Sequence, residues 1–443
     1  MRQIEDRSIE AIVENAYSTY GEYVNLNRHI PNMLDGLKPV YRKAIYAVMK
    51  ACGDGIKDAA TVMGEAAKYY SHNPLYLVDV MCILSKYGIL QDVCNNGTYF
   101  IHKENDGHAA FRYLITGIEP FWNKLFGKLI NYVPYTLSDK GTNEPDYIPT
   151  PIPLGLIFGY SSMSCGCNTE IPPFTAQSML DALINDDPRR LKLSFGLEIV
   201  QDKTNINGIW ENGAGKLTFK YPWKVTTIGS YTGILISGNA IYQNLNWNIE
   251  DKNKRAGFDY TLDKLIESNI IEVIEISSDK VPSVFFRIKD ERRMTLKELG
   301  NFVDFIVTNY RLIKLTVYYK SSVSRISLKT WLQLSFNNYN ELLEKYRKEN
   351  IDRLIRNRTI LENLPAVAKV LVDNHGKDIS NQWIADQLKI EKWIVDEVVK
   401  KPISALKKKD TSNEINSIND QIAKFEAFDP VSFTTNAILE IPE

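Results

Sequence analysis

Residues 28–50, RHIPNMLDGLKPVYRKAIYAVMK, carry the pattern on which the reading of the whole chain turns. Pro31 and the turn-forming Asp35-Gly36 pair interrupt any helix in the first half, and Pro39 then stands where a proline commonly opens one. Beyond it Val40, Ile45, Val48 and Met49 recur at helical spacing, which predicts a helix entered at Pro39. Arg28, Lys38, Arg42 and Lys43 punctuate the same stretch. Spaced guanidinium and ammonium groups can line a groove, neutralise phosphates and displace their condensed counterions. From Arg28 to His72 there are seven Lys/Arg against four Asp/Glu. The ordinary alternative for such a stretch is a solvated, mixed-charge surface.

Working outward, Ile9, Ile12, Ala16, Tyr20 and Tyr23 keep to one face at a 3-4-4-3 spacing and predict a first helix that could serve as an arm. On the other side LYLVDVMCILSKYGIL, residues 75–90, is too long an apolar stretch for a typical strand and reads as a further helix. The Gly/Asn-rich CNNGTYF follows at residues 94–100. Short helices with an extended segment behind them make a compact helical module with a wing. Next comes HAAFRYL, residues 108–114, which places Arg112 beside Tyr113. An arginine there can stabilise charge as a phenolic oxygen attacks phosphorus. Taken alone, an Arg-Tyr pair is common and reads first as amphipathic surface.

The chain of 443 residues is long enough for two or three domains. Its 44% apolar and 24% charged content fits a globular protein and excludes wholesale disorder. No apolar run reaches membrane-spanning length and the N-terminal stretch lacks the pattern of a secretory signal, so a cytoplasmic location is expected. Cys52, Cys82, Cys94, Cys165 and Cys167 form no CxxC pair, which disfavours a zinc site or a disulfide framework. The formal net charge of -1 by itself predicts no polyanionic partner, so local distribution has to decide.

From about residue 145 the texture changes to proline-rich turns, PDYIPTPIPLGL and EIPPF. Strand-like runs follow: KLTFKYPWKVTTIG, YTGILISG, PSVFFRIK and IKLTVYYKSSV. These predict a second domain of α+β type. After about residue 328 the pattern is helical again, with Leu332, Phe336, Tyr339, Leu343 and Tyr346 in a coiled-coil-like seam. Ile351, Leu354, Arg358 and Leu361 continue it after a one-residue shift, Arg358 being its weak member. Ile415, Ile418, Ile422 and Phe425 predict a returning helix, so a long antiparallel hairpin carrying a knob of short helices competes with a simple bundle.

The order R-x-x-P-x-x-x-D-G-x-K-P-x-x-R at residues 28–42 resembles the signature that opens the winged-helix domain of type IIA topoisomerase cleavage subunits, gyrase A among them. Ala109-Ala110-Phe111-Arg112-Tyr113 is similar to the catalytic Ala-x-Arg-Tyr motif that follows in the same order. GYSSMSCGCNTEIPPF, residues 159–174, resembles the segment ending in Ile-Pro-Pro, and Asn212-Gly213-Ala214-Gly215-Lys216 falls where the family has a Gly-rich turn before a strand. The resemblance implies a multidomain α+β chain. Its parts would be an N-terminal arm contacting a partner subunit (1–25), a winged-helix DNA-gate domain (26–145), a mixed α/β tower domain (146–328) and a long antiparallel helical hairpin ending in a dimerisation gate (329–443).

Carried over residue by residue, the resemblance makes Tyr113 the nucleophile that forms a 5′-phosphotyrosyl bond, with Arg112 supporting the transition state. Arg28, Lys38 and Arg42, with Lys43 beside them, would hold flanking phosphates, and His72 would donate a hydrogen bond near the scissile group. Ile171 occupies the place of an apolar wedge between base pairs, stiffened by Pro172 and Pro173; an ordinary core isoleucine is the alternative. The chain departs from the family at Tyr70-Ser71-His72-Asn73-Pro74, where only one histidine of the expected motif stands, and at Asn95-Asn96-Gly97-Thr98-Tyr99-Phe100, where a glycine-rich loop is replaced.

No acidic cluster and no Walker-type phosphate loop is visible, since GAGK at residues 213–216 lacks the length and the following Ser/Thr. The resemblance implies that the reaction needs Mg2+ and ATP, so both are expected on a partner subunit, and it implies that this chain is the DNA-cleaving half of an ATP-hydrolysing type IIA DNA topoisomerase that works as a homodimer on double-stranded DNA. In length it resembles the medium subunit of the T-even-type bacteriophage enzyme, for which relaxation rather than negative supercoiling is implied. The competing readings are a non-catalytic winged-helix DNA-binding or architectural protein and a structural coiled-coil protein.

Overall fold

The computed structural model describes residues 8–71, 73, 76–91, 93–94, 113–138, 140–194, 196–237, 262–275, 283–320, 322–376, 378–402 and 411–442. They belong to two compact units, Met1–Tyr339 with Thr435–Glu443, and Asn340–Thr434.

In the first unit Ser8 caps α1 (Ile9–Val24) by accepting the Ala11 amide, and only Gly21 and Val24 of that helix are buried. α2 (Pro39–Cys52) begins as the sequence predicts, with Lys38 as its extended N-cap and Pro39 in the first turn. A continuous run from Arg42 to Val48 is buried, more than a one-sided stripe, because α3 (Ala59–Ala66) and α4 (Tyr76–Lys86) both pack against it. The Asp58 carboxylate accepts the Thr61 amide at 2.8 Å and fixes where α3 starts. A small antiparallel sheet accompanies the three helices, in the order β1 (Lys57–Asp58), β3 (Leu114–Thr116), β2 (Val93–Cys94).

Next come the hairpin of β4 (Tyr135–Leu137) with β5 (Asn143–Pro145) and that of β6 (Tyr160–Ser164) with β7 (Cys167–Ile171). β6 and β7 lead into a five-stranded sheet, β6-β7-β14-β9-β8, completed by β8 (Glu198–Ile199), β9 (Ala214–Lys220) and β14 (Thr308–Lys314). β10 (Trp223–Ile228), β11 (Tyr231–Ser237), β13 (Ser283–Ile288) and β12 (Ile271–Glu275) form a second sheet in that order, antiparallel throughout. The helix Leu296–Val307 opens with a capping box of Thr295 and Glu298 and buries Leu299, Phe302, Val303 and Ile306. β15 (Thr316–Tyr319) and β16 (Ser322–Arg325) form a last hairpin.

The helix Leu328–Asp373 follows. Leu332, Tyr339 and Leu343 of the expected seam are buried. Of the expected continuation Leu354 is buried, but beyond it the core positions include Ile360, Leu364 and Val367, and Arg358 turns aside to donate to Asn419 Oδ1 at 3.0 Å. A charged side chain keeps its head near water and lets the neighbouring isoleucine take the core place. Asn419 lies on the returning helix Ser412–Glu426, which runs antiparallel to the first: the Tyr346 and Phe425 rings meet at 6.1 Å, and Thr411 Oγ1 donates to the Leu361 carbonyl at 3.3 Å. Between them the short helices Asn381–Leu388 and Lys392–Val399 bring Ile384, Ala385, Ile394, Val395 and Val398 onto Ile360, Leu364 and Val367. No helix among the described residues is long and apolar enough to cross a membrane.

Candidate nucleic-acid interface

The turn before α2 is built around Asp35, which is fully buried. Its Oδ1 accepts the Leu37 amide at 2.8 Å, closing a local side-chain turn, and its Oδ2 accepts the distant Ile148 amide at 3.0 Å. Gly36 follows at φ +67°, pressed so closely on Pro153 and Gly155 that a Cβ would stand 2.9 Å from both. Arg42 completes this knot. Its Nε donates to Asp35 Oδ2 at 2.7 Å, and the guanidinium also reaches the Leu37 carbonyl at 3.0 Å and the Tyr318 hydroxyl at 3.1 Å. Burial works against the Arg42 charge, but Asp35 and Tyr318 outweigh it and hold the guanidinium more firmly protonated than usual.

Two of the expected phosphate-holding residues are engaged inside the protein here. Arg42 is 7% exposed with its donors spent inside the protein, and Lys43, at 9%, donates to the Tyr69 carbonyl at 2.8 Å and pairs with Glu144 at 3.3 Å. Both stand in the wall of a recess that Pro39, Glu144, Tyr318 and Lys320 also line, but with their donors turned to acceptors of the protein itself. The four cations of the opening stretch divide by position: 42 and 43 open the run of α2 that is buried all round, while Arg28 and Lys38 precede the helix.

Arg28 and Lys38 both stand near His29, whose imidazole feels the charge of each. Arg28 and His29 end a single wide helical turn, Asn25–His29, that continues α1. The Arg28 guanidinium lies 5.8 Å from the centre of the Tyr23 ring, and its Nε is buried without a hydrogen-bond partner among the described residues. Lys38 donates to the Ser161 carbonyl at 3.2 Å and rests 4.6 Å over the Tyr160 ring. Tyr160 in turn stacks on Tyr41 and donates to the Gly36 carbonyl. Burial lowers the pKa of Lys38; it also lowers that of His29, and the charges of Lys38 and Arg28 add to the effect on the histidine. Burial raises the Tyr70 phenol while the nearby Arg28 opposes it. The result is a half-buried group of two cations beside an imidazole whose pKa burial and their charge push below its ordinary value.

Two cations grouped in this way are suited to phosphate. Arg28→Ala and Lys38→Ala are each expected to weaken duplex binding irrespective of sequence. Each should also reduce the slope of log affinity against log salt by about one, as read by anisotropy titrations at several salt concentrations. His29 adds a pH dependence. In the free protein its lowered pKa means that the unfolded chain takes up a proton first, so stability falls as pH drops through the ordinary imidazole range. A docked phosphate opposes the two cations and raises the imidazole pKa, so binding takes up a proton. Duplex affinity is then expected to rise as pH falls from about 7.5 toward 6, with His29→Gln flattening the profile; an equally steep profile in His29→Gln would exclude the histidine.

Tyr113 immediately precedes β3, the middle strand of the small sheet. Leu114 and Thr116 are fully buried and the Cys52 thiol donates to the Thr116 carbonyl at 3.4 Å, so the strand is anchored. Tyr113 itself is 44% exposed. Arg112 and His72 lie outside the described residues. Ile171 is 1% exposed, at the end of β7 opposite Tyr160, so the expected wedge is a core residue in this conformation and would have to leave the core to reach base pairs. The prolines that follow it are held stiffly, since a Cβ on Gly159 would meet Pro173 at 2.6 Å.

The family model for the A subunits of DNA gyrase and topoisomerase IV matches residues 28–440, beginning on Arg28 itself. The chain belongs to this family. The DNA topoisomerase 4 A subunit of Haemophilus influenzae is 27% identical over 247 residues, which cover 50% of this chain and 32% of that protein. The Escherichia coli K12 protein of the same name is 27% identical over 243 residues, covering 49% and 32%. That of Bacillus subtilis is 24% identical over 453 aligned residues, covering 96% of this chain and 51% of the relative. The chain thus spans about a third to a half of the length of these curated relatives.

Within this member of the gyrase/topoisomerase IV family, Asp35 and His29 are the site residues that sequence reasoning passes over. Asp35 stands inside the quoted motif and reads there only as a turn former; its separation of seven residues from Arg42 spans a loop and offers no helical signal. His29 adjoins Arg28 and draws attention only once Lys38 is seen across from it. Among the described residues no three His, Cys, Asp or Glu side chains come together as a donor set for a metal ion.

Proposed function

We propose that this chain is the DNA cleavage and religation subunit of an ATP-dependent type IIA topoisomerase, opening a transient double-strand break through which another duplex passes. The observation that carries the reading is Tyr113: a half-exposed phenol at the mouth of an anchored strand, inside the residues that match the gyrase/topoisomerase IV family. Its oxygen attacks a backbone phosphorus, the bond to the 3′ oxygen breaks, and the product is a 5′-phosphotyrosine with a free 3′-hydroxyl. The ester keeps the energy of the broken bond, so the reverse attack reseals the strand. Arg112 stabilises charge on the phosphoryl group, Arg28 and Lys38 hold neighbouring phosphates, and His72 donates a hydrogen bond near the scissile group.

α2, α3 and α4 with the β1-β3-β2 sheet are assigned as the winged-helix gate, residues 146–328 as the tower, and the paired helices of the second unit as a coiled-coil arm whose far end forms a homodimer gate. α1 exposes Ile9, Ile12, Val13, Tyr17 and Tyr20, and is assigned as the arm that meets a partner subunit. That partner carries the ATPase and the divalent metal, which when bound stabilises the attacking or leaving oxygen. Length alone carries the likeness to the phage medium subunit, and the proposal does not depend on it.

The test is to assemble the chain with its partner, magnesium, ATP and plasmid DNA, stop with detergent, and look for protein on the 5′ ends of cleaved strands. Duplex binding without any such adduct, from a complex shown to assemble, would favour the non-catalytic winged-helix reading instead.

A further inference from the structure

The β6–β7 hairpin turns at Cys165-Gly166, with Gly166 at φ +71°, and Cys167 follows at once. Neither thiol has a part in the proposed cleavage. Both are free and half-buried, and both lie beneath one stretch of chain. A Cβ on Gly21 would stand 3.2 Å from the Cys165 Cβ and 3.8 Å from its sulfur, while the Cys167 thiol donates to Asn25 Oδ1 at 3.5 Å. Gly21 and Asn25 are four residues apart and therefore share a helical face, so two sulfurs two residues apart in sequence converge on the same small patch. The Asn25 amide closes the arrangement by donating to the Cys165 carbonyl at 3.1 Å. Asn25 also opens the wide turn that carries Arg28 and His29, and its carbonyl accepts the Ile30 amide at 3.0 Å.

We propose that Cys165 and Cys167 are a redox pair that closes to an intrachain disulfide and thereby loosens the Asn25–His29 turn. The oxidant is a small disulfide of the glutathione type. One thiolate attacks it, forming a mixed disulfide and expelling one reduced thiol; the second cysteine displaces the other. Two S–H bonds are lost, one S–S bond forms, and the reagent leaves as two thiols. Burial and the neighbouring Cys165 push the Cys167 thiol up, which suits Cys167 to the second, resolving step. Closure removes the proton that Cys167 donates to Asn25 and draws the Cys165 sulfur away from Gly21. The further consequence, weaker phosphate holding by Arg28, rests on the proposed function.

The full chain is incubated with oxidised glutathione, alkylated and digested, and the peptide spanning both cysteines is weighed. Deuterium exchange is followed over residues 25–30. The expected result is loss of two hydrogens from that peptide and exchange about fivefold faster over 25–30, the size of one lost hydrogen bond, reversed by dithiothreitol. Cys167→Ser, whose hydroxyl can still donate to Asn25, should stop at a glutathione adduct on Cys165, without the loss of two hydrogens. Glutathione adducts without a 165–167 disulfide in the unaltered chain would overturn the pair, and a disulfide with unchanged exchange would overturn the coupling. Duplex affinity is measured in parallel. It should fall severalfold on oxidation, and an unchanged affinity in a chain that binds DNA when reduced would overturn the regulatory consequence. If the reduced chain binds no duplex, the proposed function fails while mass and exchange still decide the redox pair.

Discussion

Tyr113→Phe is expected to leave duplex affinity within about twofold, as for most exposed substitutions, and to eliminate the detergent-stable protein–DNA complex. The change removes one oxygen atom from a side chain that is 44% exposed, so no cavity opens and the buried Leu114 and Thr116 still anchor the strand. What disappears is the only atom of that side chain able to attack phosphorus. Loss of a nucleophile costs roughly 10^4-fold or more in rate, which takes cleavage below detection. Phe keeps the ring and its packing, so a protein that merely holds DNA would tolerate it. The assay therefore needs both arms, adduct formation and affinity. A covalent complex that persisted in Tyr113→Phe would move the nucleophile elsewhere, whereas loss of affinity alongside the adduct would make Tyr113 a binding residue.

The sequence is legible where a local physical rule governs and opaque where a distant contact does. Pro39 at the start of α2, the strands Ala214–Lys220, Trp223–Ile228, Tyr231–Ser237 and Ser283–Ile288, and the buried Leu332, Tyr339 and Leu343 follow from proline geometry, β-branched composition and helical spacing. Charge identity is equally plain in Arg28, Lys38, Arg42 and Lys43, but charge does not state direction. Lys43 is withdrawn by the Tyr69 carbonyl and by Glu144 at the far side of a hairpin, and Arg42 by Asp35 and Tyr318, the last of these 276 residues away. Ile171 holds an unused local signal: Thr169 and Ile171 are both buried while Asn168 and Glu170 are not, the alternation of a strand with one face inward. Family resemblance points to a wedge at that place; the pleat points to the core.

Arg42→Ala should lower the stability of the first unit by about 3–5 kcal/mol, the usual cost of removing one partner from a buried ion pair. The asymmetry of the knot explains the size. Asp35 would keep the Leu37 and Ile148 amides but would stand fully buried without its cation, and Tyr318 would lose the tie that joins β15 to α2. Arg28→Ala, whose guanidinium serves no such network among the described residues, should cost little stability and chiefly affinity. Urea unfolding separates the two, with tryptophan fluorescence as the readout because the Trp331 indole donates to the Met33 carbonyl beside the knot. Asp35→Ala with Arg42→Ala should be less destabilised than the sum of the single changes, since no uncompensated charge is left inside. If Arg42→Ala instead unfolds at the wild-type urea concentration and loses DNA affinity as Arg28→Ala does, then the Asp35–Arg42 pair does not stabilise the free protein and Arg42 serves DNA as Arg28 does.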